Sequence, residues 1–182
     1  MKITVVGRGN VGGGLARLWA AAGHNVTTLG RDGGAAAGSD VVVVAVPGES
    51  IAAALGRVTG LAGQVTIDAS NVLGPRDEAF PSLAHQVKSI IGGPTAKSFS
   101  TNFAAAYDQI SPQRVAPSNL FAADRGARSI AEELIRDAGY EPVFVGDLDT
   151  GARLLENGIR FTMTLGGQIG PFFYRIARPG EL

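Results

Sequence analysis

A glycine-rich turn near the N-terminus constrains the fold of this chain more than any other feature. Gly7, Gly9 and Gly12 form the pattern Gly-x-Gly-x-x-Gly between a β-prone run at 3–6 and a helical pattern at 11–22. In that position Gly7 makes a tight turn, Gly9 lets the backbone approach a pyrophosphate, and Gly12 lets the helix pack against the sheet. The amides and the dipole of the helix N-terminus favour an anion there. A plain turn in a glycine-rich chain is the alternative, but the flanking strand and helix favour a dinucleotide site.

Strand and helix signals alternate along the chain. The run Val41–Val46 is apolar at every position, which is typical of a parallel strand covered by helices on both faces. The alternation predicts an α/β fold with a Rossmann-type doubly wound, mostly parallel sheet in a single domain, 1–182, whose C-terminal helical segment spans about 149–182. The predicted strands are 3–6, 25–29, 41–46, 65–68, 96–99, 120–123 and 142–145, and the predicted helices are 11–22, 47–58, 83–91, 102–110, 125–138 and 150–165.

Composition excludes several classes of site. Apolar residues make up 45% of the chain, so intrinsic disorder is excluded as its main state. The chain has no cysteine, which excludes disulfides, thiolate zinc sites and cysteine nucleophiles, and its two histidines make any metal site improbable. Sixteen basic and sixteen acidic residues leave no broad basic face for nucleic acid or membrane. Because Met1 leads straight into a strand, and the longest apolar run is far below the roughly 18 residues of a membrane helix, we expect a cytoplasmic protein.

The residues after the second predicted strand bear on which dinucleotide is bound. NAD-binding folds place a carboxylate there for the ribose 2′-hydroxyl, whereas an arginine accommodates the 2′-phosphate of NADP. Here Leu29 and Gly30 are not acidic and Arg31 follows at once, which favours NADP(H). Asp32 could pair with Arg31 or contact the ribose, and a solvated surface arginine is the competing interpretation.

Segments spread over nearly the whole chain carry a likeness to one family. They are Lys2–Gly12, Gly30–Arg31, Ala45–Pro47, Asp68–Asn71, Lys97–Phe103 and Gly146–Leu148. Together they resemble the NADP-dependent oxidoreductases of coenzyme F420, part of a wider group that includes pyrroline-carboxylate reductases and the cytosolic domains of ferric reductases. The cofactor motifs in these segments are specific, and the substrate motifs are not.

The resemblance implies a role for several positions. Hydride would pass directly between a nicotinamide and a deazaflavin ring, so no general acid or base is implied, and the protein would mainly orient the rings. The implied contacts are Arg8, Gly9, Asn10 and Val11 with the pyrophosphate; Gly30 and Arg31 with the 2′-phosphate; Val46, Pro47 and Ser70 with the nicotinamide side; and Ser98, Thr101 and Asn102, with the C-terminal helix, for the deazaflavin substrate.

One segment departs from the family pattern. The family has a helix and a short strand after the arginine, but only 32–40 lies between Arg31 and the next strand here. A crossover between parallel strands usually takes a dozen or more residues. We therefore expect that helix and strand to be missing, 25–29 to lie at the sheet edge, and the family's further basic residue to have no counterpart.

Other polar and aromatic residues have ordinary structural explanations. His24 and His85 are expected to be capping or solvated residues. Asp68 could fix a ligand or cap the turn after its strand. The pairs Glu132–Glu133 and Asp147/Asp149 are expected to be solvated, and Trp19 to lie in the core. Thr101 is expected to cap the following helix, whether or not its neighbours contact a ligand.

The aromatic run 172–174 follows a Gly-Pro break and could close a pocket for a planar ring or pack against a second subunit. Related reductases often dimerise through this end, so the resemblance implies a homodimer. Two functions from different classes remain open. One is NADPH-linked hydride transfer to a small redox partner, most readily F420, with an imine, a flavin or a metal ion as other acceptors. The other is a non-catalytic NADP(H)-binding module that senses redox state or scaffolds a partner.

Overall fold

A mostly parallel sheet forms the centre of the molecule in the computed structural model, which describes residues 1–74 and 78–180. The strands are β1 (Lys2–Val6), β2 (Asn25–Leu29), β3 (Gly34–Ala35), β4 (Val41–Val44), β5 (Val58–Thr59), β6 (Val65–Asp68), β7 (Thr95–Lys97), β8 (Ser118–Ala123) and β9 (Glu141–Phe144). Within those residues, seven of them form one sheet in the order β2-β1-β4-β6-β7-β8-β9, and only the β7–β8 pair is antiparallel. This is the α/β Rossmann-type architecture that the sequence predicts.

Helices cover both faces of this sheet, as the apolar run of β4 predicts. Val41 and Val43 belong to the buried cluster under the first and fourth helices, whereas Val42 and Val44 point into the cluster under the second and third. All four valines are fully buried, so the strand contributes to two cores at once. The α-helices are α1 (Asn10–Ala21), α2 (Ile51–Leu55), α3 (Leu83–Ile91), α4 (Arg128–Asp137) and α5 (Leu148–Ile169), with 3-10 turns at Gly48–Ser50 and Ala104–Gln109.

The link between β2 and β4 is shortened, as expected. β2 lies at the edge of the sheet, and no helix lies in the described link. The sequence did not predict that Gly34 and Ala35 form β3, which pairs in parallel with β5 in a separate two-stranded sheet. The next residue, Ala36, is fully buried in the same cluster as Leu29 and Leu55. A two-residue pairing thus covers apolar surface that a crossover helix would otherwise cover.

The boundaries of several elements differ from the sequence-based expectations. The predicted helix at 102–110 is a 3-10 turn at Ala104–Gln109. Its N-cap is Phe103 and it has no side-chain cap, so the expectation that Thr101 caps it was wrong. The last helix continues beyond its predicted end at 165, through Gly166 and Gly167, and it ends at Ile169 with Gly170 as its C-cap. A Cβ on Gly166 would lie 2.4 Å from the ring of Phe103, so the glycine allows this ring to pack against the helix.

Trp19 lies in the core, as expected. Its side chain is fully buried, its indole N–H donates to the carbonyl of Leu134 at 2.8 Å, and its ring contacts Phe99 edge to face. The hydrogen bond joins α1 to α4 across one face of the sheet, and the ring contact packs α1 against the loop after β7. None of the helices in the described ranges combines the length and the apolar character that crossing a membrane requires.

Candidate functional site

The glycine turn between β1 and α1 has the geometry that a dinucleotide site requires. Gly7 has φ +117°, and a Cβ added to it would lie 2.2 Å from the carbonyl oxygen of Ala45. A Cβ on Gly12 would lie 2.2 Å from the carbonyl oxygen of Gly7. Both positions therefore require glycine for the protein's own packing.

Gly9 differs from the other two glycines because the protein itself leaves room for a side chain there. It has φ −71°, and a Cβ on it would meet no protein atom within 4 Å. Gly9 is the N-cap of α1 and supplies no side chain to the helix amides. The first helical bond runs from the amide of Gly13 to the carbonyl of Gly9, so the amides of Asn10, Val11 and Gly12 come before the ladder begins. Open space beside Gly9 thus coincides with a helix N-terminus, where a pyrophosphate would bind.

A cavity of about 630 Å³ extends from this turn along the carboxyl ends of β1, β2 and β4. Its volume falls within the range of about 300–1,000 Å³ that is typical of small-molecule sites. The sequence-predicted residues that line it are Gly7, Arg8, Gly9, Gly30, Arg31, Val46 and Pro47. Asn10, Val11 and Gly12 adjoin it at the start of α1, and Ser70 lies outside its lining.

Arginines dominate the charged lining of this cavity. Among the described residues, Arg8, Arg31 and Arg57 line it together with one acidic residue, Asp32. The guanidinium of Arg8 donates to the carbonyl of Thr28 at 3.1 and 3.3 Å, so it lies over the end of β2 rather than over the glycine turn. An excess of positive charge at this end suits a phosphate.

Arg57 is the functional candidate that the sequence analysis missed. Its Nη1 donates to the carbonyl oxygen of Arg31 at 3.0 Å, and β3–β5 pairing brings the two residues together. They are 26 positions apart in the sequence, and the β3–β5 pairing that brings them together is only two residues long on each strand. No periodicity or motif in the sequence signals such a contact.

A second cavity of about 410 Å³ adjoins the first at Pro47, which lines both. Asn71 lines it and donates from its side-chain amide to the carbonyl of Ser100 at 2.7 Å. The side-chain oxygen of Asn71 and the hydroxyl of Ser100 are buried without a hydrogen-bond partner. The second cavity therefore lies beside the carboxyl end of β4, and Asn71 joins its lining to the loop after β7.

Ser70 belongs to a buried polar network at the ends of β6 and β7. Its amide and its hydroxyl both donate to Oδ1 of Asp68, and its carbonyl accepts from Nζ of Lys97. Nζ of Lys97 also lies 2.8 Å from Oδ2 of Asp68 and 3.8 Å from Glu156, and Lys97 is fully buried. Of the two interpretations of Asp68, the structure shows the capping of the turn after its strand. The contact of Ser70 with nicotinamide stays a prediction.

The three predicted substrate residues lie together in a second polar network. The hydroxyl of Ser98 donates to Asn119, whose amide donates to Asn102 at 2.9 Å, and Thr101 shares a 2.7 Å hydrogen bond with the hydroxyl of Tyr174. Burial raises the pKa of Tyr174 above its ordinary value, so its phenol keeps its proton. The structure brings these residues together but engages their polar atoms within the protein, and a deazaflavin contact stays a prediction.

The C-terminal aromatic residues fold back onto the same chain. Phe172 packs edge to face on Phe103 at 5.3 Å, and Phe173 packs on Tyr140 at 6.5 Å. Together with Tyr174 they cover the loop after β7. The run is therefore packed within its own chain, and both the ring pocket and the second subunit stay predictions.

The histidines and the carboxylate pairs lie outside the cavities. His24 was expected to be a cap or a solvated residue, but its side chain is only 7% exposed. One ring nitrogen lies 2.8 Å from the carboxylate of Asp137, and the other contacts the N-terminal amine. His85 lies between Ser82 and Asp149 rather than being free in solvent. The hydroxyl and amide of Thr150 hold the pKa of Asp147 below its ordinary value, because that carboxylate caps α5.

Comparison with known proteins supports this architecture. No protein-family model matches the chain, and a search of curated proteins found no match. Among solved structures, the chain is similar to a "putative F420 dependent NADP-reductase" from Arthrobacter sp. FB24, at 26% identity and TM-score 0.80, covering 98% of this chain and 100% of that one. It is also similar to the hypothetical protein SMa0349 from Sinorhizobium meliloti, at 25% identity and TM-score 0.70, covering 87% and 91% of the two chains.

Larger enzymes contain the same fold. A reductive aminase from Aspergillus terreus, solved in complex with NADPH and ethyl levulinate, matches at 16% identity and TM-score 0.66. That match covers 93% of this chain but only 62% of the aminase, so this likeness shows the fold alone. The chain therefore has the Rossmann fold of known NADP-binding proteins, and it shares that fold over the full length of the Arthrobacter protein.

Proposed function

We propose that this chain is an NADP(H)-dependent oxidoreductase that transfers hydride between the nicotinamide and a small redox partner, most readily the deazaflavin F420. One observation carries the proposal: Gly9 leaves open space at the start of α1, within a cavity whose far end holds three arginines. The likeness to the Arthrobacter protein supports the reaction class and the acceptor.

The chain's own residues would hold the dinucleotide along the first cavity. The amides of Asn10 and Val11 would donate to the pyrophosphate, and Gly30 leaves room for the guanidinium of Arg8 over the end of β2. Arg31 would bind the 2′-phosphate through its forked donors. Val46 and Pro47 would line the nicotinamide at the boundary of the second cavity.

The acceptor would enter through the second cavity. When bound, NADPH supplies the hydride, and the protein's part is to hold two rings in contact and exclude water. Asn71 lines that cavity and donates to the carbonyl of Ser100, so it would orient a ring against the loop of 98–102. The predicted homodimer stays a prediction; the exposed side chains of Leu154, Phe161 and Ile169 on α5 would supply its apolar surface.

Reduction of F420 gives the direct test of this activity. Mixing the protein with NADPH and oxidised F420 is expected to bleach the visible absorbance of the deazaflavin and to consume NADPH in equal amount. Parallel assays with a cyclic imine, a free flavin and a ferric chelate identify the acceptor class by NADPH oxidation. NADPH binding without reduction of any of these acceptors would favour the alternative of a non-catalytic binding module.

Arg31→Ala tests the assignment of NADP(H). Losing charged hydrogen bonds to the 2′-phosphate is expected to raise the Kd for NADPH about 10- to 100-fold. NADH lacks that phosphate, so its Kd should stay near the wild-type value. Isothermal titration with both nucleotides measures the two effects, and equal losses for NADPH and NADH would contradict the role of Arg31.

A further inference from the structure

We infer that Arg57 is a second determinant of NADP specificity, which contacts the 2′-phosphate beside Arg31. The inference rests on the proposed function and names a residue for it from a different part of the chain. The segment 32–40 that follows Arg31 contains no basic residue, so a second cation at this end of the cavity comes from elsewhere in the chain.

The turn at the end of β2 holds Arg31 at its tip. The amide of Gly33 donates to the carbonyl of Gly30 at 3.1 Å, which closes a tight four-residue turn containing Arg31 and Asp32. This turn lines the cavity at the end opposite Pro47. Arg31 and Asp32 are exposed, so both side chains can reach a ligand there.

The backbone of Arg57 is packed directly against this turn. A Cβ on Gly33, which has φ +77°, would lie 2.0 Å from the carbonyl oxygen of Arg57. The amide of Gly34 donates to that same carbonyl at 3.2 Å, and β3–β5 pairing follows at once. The position of Arg57 relative to Arg31 is therefore set by main-chain contacts and not by a flexible side chain alone.

The guanidinium of Arg57 is placed to serve both the turn and a ligand. One of its nitrogens donates to the carbonyl of Arg31 at 3.0 Å, which uses one of its five donors. The side chain is exposed and lines the cavity, so other donors remain for an anion. Asp32 is the acidic residue in the described lining. A doubly charged phosphate would need more than one cation to offset both of its charges.

Arg57 supplies the second positive charge that the short segment 32–40 lacks. In place of a basic residue further along the same connection, the short β3–β5 pairing brings one from the end of α2. Two arginines from separate segments then face the 2′-phosphate, and NADP is selected over NAD by both. The specificity of the site would therefore depend on the pairing of β3 with β5.

Arg57→Gln tests this assignment while keeping a donor for the carbonyl of Arg31. The Kd for NADPH is expected to rise about tenfold, the size of one charged hydrogen bond, and the Kd for NADH to stay unchanged. Adenosine 2′,5′-bisphosphate, titrated against AMP, should show the same loss without any contribution from nicotinamide. Arg136→Gln, an exposed arginine on α4 that does not line the cavity, is the matched control and should change neither nucleotide.

The double variant separates direct contact from positioning of Arg31. If Arg57 contacts the phosphate, Arg57→Gln in an Arg31→Ala background should still lower NADPH affinity further. No further loss there would mean that Arg57 only positions Arg31, and the inference would be overturned. Arg57→Lys should fall between wild type and Gln, since lysine keeps the charge but lacks the fork.

Failure of the inference can be told apart from failure of the proposed function. A wild-type preference for NADPH that Arg57→Gln leaves intact would overturn the role of Arg57 alone. Wild-type protein that binds neither nucleotide would overturn the proposed function, and the role of Arg57 with it. Melting temperatures of all variants establish that each is folded, as expected for exposed positions.

Discussion

Replacing Gly9 with aspartate is expected to abolish NADPH binding while leaving the protein as stable as before, or more so. The new side chain would enter open space at the start of α1, where it can cap the helix amides. Capping together with the helix dipole should raise the free energy of unfolding by up to about 1 kcal/mol. The same carboxylate would occupy and repel the pyrophosphate, and a loss of at least about 100-fold in affinity is expected.

Two further variants define what that result means. Gly9→Asn adds a cap of the same size without charge, so it should bind NADPH more weakly than wild type but more tightly than Gly9→Asp. Gly12→Ala should have the opposite effect on stability and lower the free energy of unfolding, because its Cβ would meet the carbonyl oxygen of Gly7 at 2.2 Å. Overpacking of that kind costs about 1–3 kcal/mol of stability. Chemical unfolding and NADPH titration of the three variants measure both effects, and Gly9→Asp that still binds NADPH would contradict the pyrophosphate site.

Lys97→Met is expected to give the largest loss of stability among single substitutions near the cavities. Lys97 is fully buried and pairs with Asp68 at 2.8 Å, so its removal leaves a buried carboxylate without its cation. Breaking a buried pair in this way costs about 3–5 kcal/mol. Urea unfolding of wild type and variant measures the difference in free energy.

The control for this prediction is a lysine with a similar but exposed ion pair. Nζ of Lys88 lies 2.8 Å from Asp124, but the lysine side chain is 43% exposed. Lys88→Met is therefore expected to cost less than about 1 kcal/mol. Equal stabilities for the Lys97 and Lys88 variants would show that the buried network is dispensable for folding.

The fold could be predicted where the sequence pattern is strong over several residues. The four valines of β4 identify a strand buried on both faces, and the glycine spacing identifies the turn into α1. The absence of a crossover helix also follows from the sequence, because 32–40 is too short to hold one. Chain length and residue type determine each of these features locally.

The residues of the site could be predicted only where they lie in one continuous segment of the sequence. Gly9 and Arg31 follow from the order of strand, turn and helix, and both line the cavity. Arg57 could not be predicted, because it reaches Arg31 through a pairing of two residues that carries no periodic signal. Lys97 was missed as a structural residue, because lysine is ordinarily exposed, and only the fold shows that Asp68 and Glu156 surround it.

The crystal structure of the protein with NADP⁺ is the most direct measurement of the central claim. We expect the pyrophosphate against the amides of Asn10 and Val11, with no side chain between it and Gly9, and the 2′-phosphate within hydrogen-bond distance of Arg31. NADP⁺ bound elsewhere, or lying in this cavity with its 2′-phosphate turned away from Arg31, would contradict it.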